Sequence, residues 1–122
     1  MARKFATKIR NAEKTMKLYD EYEKIIRQRK NIDGDISYED NPLISETVKI
    51  MTEDIQKTIE FLDRDCTEEQ FVWLSEVFDE IAEKTKSGDF IKALRRTAER
   101  FPEVTKKYNI EFFIDSASEY VM

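Results

Sequence analysis

Residues 67–88, TEEQFVWLSEVFDEIAEKTKSG, contain the clearest helix signal in the sequence. Thr67 and Gln70 have the spacing of a capping box, in which two side chains bond each other's backbone amides at the start of a helix. Ser87-Gly88 ends the pattern at the other side. Between them, apolar residues recur at helical spacing and predict one buried face, formed by Phe71, Leu74, Phe78, Ile81 and Ala82. This segment therefore predicts a long amphipathic helix in a protein built from helices.

The opposite face of this predicted helix is acidic. At 100° per residue, one arc of it collects carboxylates and contains no Lys or Arg. Glu76 with Glu80, and Asp79 with Glu83, are like-charged pairs at i,i+4, and each pair costs a helix ~0.2–0.5 kcal/mol. Since an aromatic anchor beside a ring of charges is typical of binding sites, this face predicts a partner-binding surface. Its candidate residues are Glu69, Val72, Trp73, Glu76, Asp79, Glu80 and Glu83.

The same acids also fit a role inside the molecule. A basic helix packed alongside would neutralise them, either helix 1 or the helix that carries Lys92, Arg95, Arg96 and Arg100. A plain solvated face is a third interpretation, because runs of charge often lie on the outside of a helix. In these cases Trp73 lies at the edge of the core.

Helices are also predicted on both sides of this segment. Helix 1 runs from about Ala2 to Lys30, with a stripe that begins at Phe5, Ile9 and Ala12. A second helix begins at Asn41-Pro42, an N-cap followed by proline at the first helical position, and is expected to continue to about Arg64. Its apolar face is formed by Ile44, Val48, Met51, Ile55, Ile59 and Leu62.

The carboxyl-terminal third predicts shorter helices. One begins at Asp89 or Phe90 and is interrupted by Pro102, and another spans about Glu111 to Tyr120 with Phe113 on its buried face. No segment alternates like a strand. The expected fold is an all-α, single-domain irregular bundle of five or six helices. It comprises a long basic N-terminal helix over 1–30, a connector over 31–40 and a helical core over 41–122.

Composition narrows the possible functions. The 122 residues carry a net charge of −5, with one cysteine and no histidine. Without histidine, the Ser-His-Asp and Cys-His types of catalysis are excluded, as are the common zinc sites. No apolar run approaches the ~20 residues that span a bilayer. We therefore expect a cytoplasmic protein that is not an enzyme and uses no cofactor or metal.

Charge is distributed unevenly along the chain. Residues 1–30 carry ten basic and four acidic side chains, whereas residues 31–85 carry four basic and sixteen acidic ones. A basic stripe, Lys92, Arg96 and Arg100, follows in the predicted fourth helix. Together with helix 1 it would suit nucleic-acid phosphates, although the acidic total and the lack of a helix-turn-helix pattern disfavour this alternative.

The connector NIDGDISYED, residues 31–40, has an outward likeness to a calcium loop. With Gly34 at loop position 6, position 1 falls on Arg29, a cation where a carboxylate must bind the metal. The segment is therefore expected to be a turn between helices, held to the core by Ile32, Ile36 and Tyr38.

A family resemblance adds a function. The stretch CTEEQFVWLSEVFDEIAEKTKSGDF with IKALRRTAERFPEVTKKYNIEFFIDSASEY resembles small helical immunity proteins encoded beside bacterial contact-dependent or polymorphic toxins. The likeness covers roughly residues 43–121. It implies a cytoplasmic protein that binds one basic partner, a cognate toxin or nuclease, and occludes it. Phage inhibitors of CRISPR nucleases follow the same physical logic, because a nuclease site is basic in order to hold phosphates.

Overall fold

The computed structural model describes residues 2–31 and 41–121, and all regular structure in this part of the chain is helical. The helices are α1 Ala2–Asn31, α2 Pro42–Thr52, α3 Ile55–Arg64, α4 Glu68–Leu74, α5 Phe78–Thr85, α6 Gly88–Arg100, α7 Pro102–Lys107 and α8 Ile110–Glu119. A short 3₁₀ turn, Ser75–Val77, joins α4 directly to α5. With α4, the turn and α5 counted as one helical segment, the described residues form a single bundle of seven helices. The predicted all-α bundle is confirmed.

Some predictions lie outside the described residues. These are the calcium-loop and turn interpretations of residues 32–40, the anchoring of Ile32, Ile36 and Tyr38, and the contacts of the stripe that begins at Phe5.

The helix starts follow the signals in the sequence. Asn41 Oδ1 accepts a hydrogen bond from the Leu43 amide at 2.9 Å, and Pro42 is the first residue of α2. Both bonds of the capping box form, with the Gln70 amide 3.1 Å from Thr67 Oγ1 and the Thr67 amide 2.9 Å from Gln70 Oε1. Local side-chain chemistry therefore sets where these helices begin.

One expectation was wrong: the helix from Asn41 to Arg64 is not continuous. It ends at Thr52, and Asp54 caps a new helix by accepting from the Gln56 amide at 3.1 Å. The Thr58 hydroxyl donates to the Met51 carbonyl at 2.7 Å across the break, and both residues are buried. The bond satisfies an end carbonyl of α2, so the two halves can turn independently towards the core.

The core is made of aromatic and branched side chains from all parts of the bundle. Phe78 lies 5.7 Å from Phe71 and 6.4 Å from Phe90, measured between ring centroids, and all three are fully buried. Each such side chain stabilises the fold by ~1.5–3 kcal/mol relative to exposure. Around this cluster, α3 packs between α1 and α6, and α8 packs against α5 and α6.

Arginines of α6 close the carboxyl end of α3. Arg100 Nη1 donates to the carbonyls of Leu62 and Asp63, at 2.8 Å each. Arg96 makes a bidentate contact with the Asp63 carboxylate, at 3.0 Å through both nitrogens. Helix ends leave carbonyls without partners, and the Arg100 guanidinium supplies donors for them.

Candidate protein-binding site

The predicted acidic helix is interrupted by the 3₁₀ turn at Ser75–Val77. A 3₁₀ turn advances three residues per turn rather than 3.6, so the 100° spacing used to place the acids does not hold across it. Ser75 Oγ donates to the Val72 carbonyl at 2.6 Å, and both Ser75 and Val77 are buried. The predicted helical segment is present from Glu68 to Thr85, but its α-geometry is interrupted at the 3₁₀ turn, so the acids of α4 and α5 have different neighbours.

A groove lies where α4, the end of α1, and α7 with α8 meet. Its volume is about 830 Å³, and most of its lining is apolar. The lining residues are Lys30, Glu68, Glu69, Val72, Trp73, Ser75, Glu76, Val104, Tyr108 and Phe113. Four of the predicted site residues, Glu69, Val72, Trp73 and Glu76, are thus brought together in one surface feature, which we call the α4 groove.

Trp73 is held in the groove wall by Arg29. The guanidinium carbon of Arg29 lies 4.6 Å from the centroid of the indole ring, in a cation–π contact. Arg29 Nη1 also reaches Glu76 Oε2 at 2.5 Å, and its side chain is only 15% exposed. Because Arg29 contacts both the indole and the Glu76 carboxylate, it holds Trp73 in a defined position at the groove.

A second ion pair joins α1 to α4 at the rim. Lys30 Nζ lies 2.7 Å from Glu69 Oε1, and both side chains are about half exposed, at 48% and 51%. The internal interpretation of the acidic face is therefore correct for Glu69 and Glu76, which pair with α1. Glu68, exposed on the same rim, makes no ion pair with any residue in the described ranges.

The docking of α4 on α1 depends on buried polar contacts. The Gln70 side chain is fully buried, and its Nε2 donates to Glu23 Oε1 at 2.8 Å. The Tyr22 hydroxyl donates to the Gln70 carbonyl at 3.4 Å, and burial raises the pKa of this phenol well above its ordinary value. The phenol therefore remains a proton donor, and α4 is fixed at the position that forms the groove.

Sequence reasoning missed the aromatic residues on the far side of the groove. Tyr108 is 46% exposed and Phe113 37%, while the neighbouring Phe112 is 61% exposed. Phe113 was expected on the apolar face of the last helix together with Ile114 and Ala117. The expectation was right for Ile114 and Ala117, which are buried, and wrong for Phe113. Helical spacing alone does not reveal this exposure, because adjacent residues such as Phe61 and Leu62 of α3 are both fully buried.

The predicted residues of α5 do not line the groove. Asp79 Oδ2 accepts from the Ser116 hydroxyl of α8 at 3.1 Å, while Asp79 Oδ1 is buried with no hydrogen-bond partner in the described part of the chain. Glu80 and Glu83 lie further along the same helix. These three acids are therefore separated from the Trp73 surface.

The basic stripe of α6 is largely engaged inside the bundle. Arg96 and Arg100 hold α3 as described above, and Arg95 Nη2 contacts Asp115 Oδ1 of α8 at 3.1 Å. Lys92 remains exposed. Three of the four cations of α6 thus have internal partners among the described residues.

Reactive groups are scarce in the described residues. Burial raises the pKa of the Cys66 thiol to about 12, so the thiol stays protonated at neutral pH and is a poor nucleophile. Within residues 2–31 and 41–121, no three His, Cys, Asp or Glu residues are grouped as metal ligands would be. None of the helices described combines the length and the apolarity that a membrane crossing requires.

No protein-family model, no curated protein and no solved structure matches the chain. The likeness to immunity proteins therefore stays a prediction.

Proposed function

We propose that this protein binds a basic protein partner, a nucleic-acid-cleaving toxin, and neutralises it by occlusion in the manner of an immunity protein. The α4 groove is the proposed contact surface. The observation that carries the proposal is that Val72, Trp73, Tyr108 and Phe113 line one groove at the surface.

The exposure of large apolar side chains in the groove supports a binding role. Clusters of exposed large apolar side chains are uncommon in proteins without partners and mark interaction surfaces. Trp, Tyr and Phe are enriched at the centres of interfaces, where they bury large area with few rotatable bonds. The α4 groove offers one tryptophan fixed by Arg29 and two partly exposed aromatic rings facing it.

Charge supports a basic partner. Residues 31–85 carry most of the acids of the chain, and three of them, Glu68, Glu69 and Glu76, lie on the rim of the groove. An acidic rim accelerates the encounter with a positively charged surface and disfavours acidic competitors. Nuclease active sites are positively charged because they hold phosphates, so an acidic protein seated over such a site excludes its substrate.

An inhibitor of a CRISPR nuclease is the second candidate, because its target presents the same basic chemistry. The two candidates differ only in the identity of the partner, which the following experiment determines.

The test is affinity capture from the source cell at low and moderate salt, with both protein and nucleic acid identified. The captured protein is then assayed for nuclease activity with and without this chain. We expect one basic protein whose cleavage of nucleic acid is suppressed. The matched variants are Tyr108→Ala with Phe113→Ala in the groove, expected to release the partner, and Glu83→Lys on α5, expected to retain it.

Two outcomes would overturn the proposal. Capture of nucleic acid without protein would move the function to the basic helices, and an unchanged cleavage rate of the captured protein would remove the inhibitory role.

A further inference from the structure

We infer that the α4 groove receives one α-helix of the partner, a helix with an apolar stripe flanked by Lys and Arg. This inference rests on the proposed function and specifies the part of the partner that enters the groove.

The walls of the groove favour a helical occupant. They are formed by the side chains of α1, α4, α7 and α8, and no strand occurs in residues 2–31 or 41–121. An extended peptide binds well where a sheet edge offers free amides and carbonyls, and a wall of helices has already paired its own. A helical segment brings its backbone hydrogen bonds with it, so only its side chains need partners.

The apolar lining suits a stripe of anchors. Val72 and Trp73 on α4 face Val104, Tyr108 and Phe113 across a space of about 830 Å³. Anchors at i, i+3 or i+4, and i+7 lie along one side of a helix and would fill such a groove.

The acidic residues at the rim of the groove favour a positively charged helix. Among the described residues Glu68 makes no ion pair, and the ion pair of Glu69 is with the half-exposed Lys30. Exposed ion pairs are weak, so a Lys or Arg of the partner can replace Lys30 at little cost. Arg29 differs because it is packed against Trp73 and is only 15% exposed. The two neighbouring cations therefore act oppositely: Lys30 competes with the partner, and Arg29 positions the indole that the partner contacts.

Trp73 is the only tryptophan of the chain, so its fluorescence reports directly on the groove. The probes are three synthetic peptides of about 18 residues, roughly five helical turns, without Trp or Tyr. The first has a Leu stripe at helical spacing and Lys or Arg elsewhere. The second has the same composition in an order that destroys the stripe, and the third keeps the stripe but replaces the cations with Glu.

We expect a saturable shift of Trp73 emission with the first peptide, and affinities about tenfold or more weaker for the other two. Phe113→Ala is expected to weaken the first peptide about tenfold. Phe112→Ala is the matched control, since Phe112 is the more exposed ring and does not line the groove. Lys30→Met is expected to tighten binding about threefold, because exposed charges contribute modestly.

Each contrary result removes a defined part of the inference. If the second peptide binds as tightly as the first, a helical occupant is rejected. If the third peptide binds as tightly as the first, the preference for a positively charged helix is rejected. An absence of binding by all three rejects the groove as a helix site, even if the captured partner is still inhibited. Peptide binding without a nuclease partner would instead overturn the proposed function and leave the groove intact.

Discussion

The α3–α6 contact and the α4 groove use arginine for different purposes. At α3–α6, Arg96 and Arg100 complete the end of a helix, and the apolar residues beneath them are buried. At the α4 groove, Arg29 holds an indole at the surface, and the apolar residues opposite remain exposed. The difference shows that an arginine covers the end of a helix in one place and holds an indole in an open groove in another. The following predictions test this contrast in order of decreasing effect.

We call the α3–α6 contact and the buried core beneath it the closed side, and the α4 groove the open side. The largest effect on stability is expected on the closed side. Phe90→Ala removes a fully buried ring of α6 that contacts Phe78, and we expect the free energy of unfolding to fall by about 3–5 kcal/mol. Urea denaturation followed by circular dichroism measures the change. Phe112→Ala on α8 serves as the control, since its ring is 61% exposed and its removal should cost less than about 1 kcal/mol. Similar losses for both variants would contradict the division into closed and open sides.

The end of α3 should be the next most sensitive place. Arg100→Met leaves the carbonyls of Leu62 and Asp63 without their donor, and we expect a loss of about 1–3 kcal/mol. Amide exchange of the residues at the end of α3 should accelerate. Arg95→Met breaks only an exposed pair with Asp115 and should cost less than about 1 kcal/mol. If the two substitutions cost the same, Arg100 does not hold the end of α3.

Alkaline pH should lower the free energy of unfolding, because the Cys66 thiol ionises more readily in the unfolded state. Burial raises the pKa of this thiol from 9.0 to about 12, so the folded state keeps a proton that the unfolded state loses. The stabilising contribution is complete below pH 9.0 and is lost as the pH rises towards 12. Between pH 8 and 10 we expect a loss of about 1 kcal/mol that Cys66→Ala removes. Urea denaturation at both pH values provides the comparison, and an equal loss in the variant would refute the role of the thiol.

On the open side, the stability effects should be smallest. Arg29→Met removes the cation from the Trp73 ring and should cost about 0.5–1 kcal/mol, with a red shift of Trp73 emission as the indole becomes solvated. Lys30→Met should leave both stability and emission nearly unchanged, since its pair with Glu69 is half exposed. An emission shift in Lys30→Met as large as that in Arg29→Met would mean that Arg29 has no special part in placing the indole.

The sequence predicted the fold where local chemistry decides it. Asn41-Pro42, the Thr67 and Gln70 pair, and Pro102 act on the nearest backbone groups, so their effects are visible without the rest of the chain. The break at Asp54 was not predicted, because the apolar spacing continues through it and only packing against the core requires the turn.

The candidate site was predicted on one wall only. Val72 and Trp73 stand out because apolar residues among acids break the pattern of a solvated face. The opposite wall comes from α7 and α8, which are far away in the sequence and adjacent only in the folded bundle. Ideal helical spacing also placed Asp79 on the same face as Trp73, whereas the 3₁₀ turn at Ser75–Val77 lies between them and Asp79 does not line the groove. Tertiary contacts, which local periodicity does not encode, account for these differences.

The partly exposed rings of Tyr108 and Phe113, which line the α4 groove, have an evolutionary consequence. Because they lie outside the core, their replacement leaves the bundle nearly as stable as before, while it changes what the groove can accept. Mutations at these positions are therefore free to accumulate. The lining of the groove can change through a few surface aromatics, and the interior packing need not change with them.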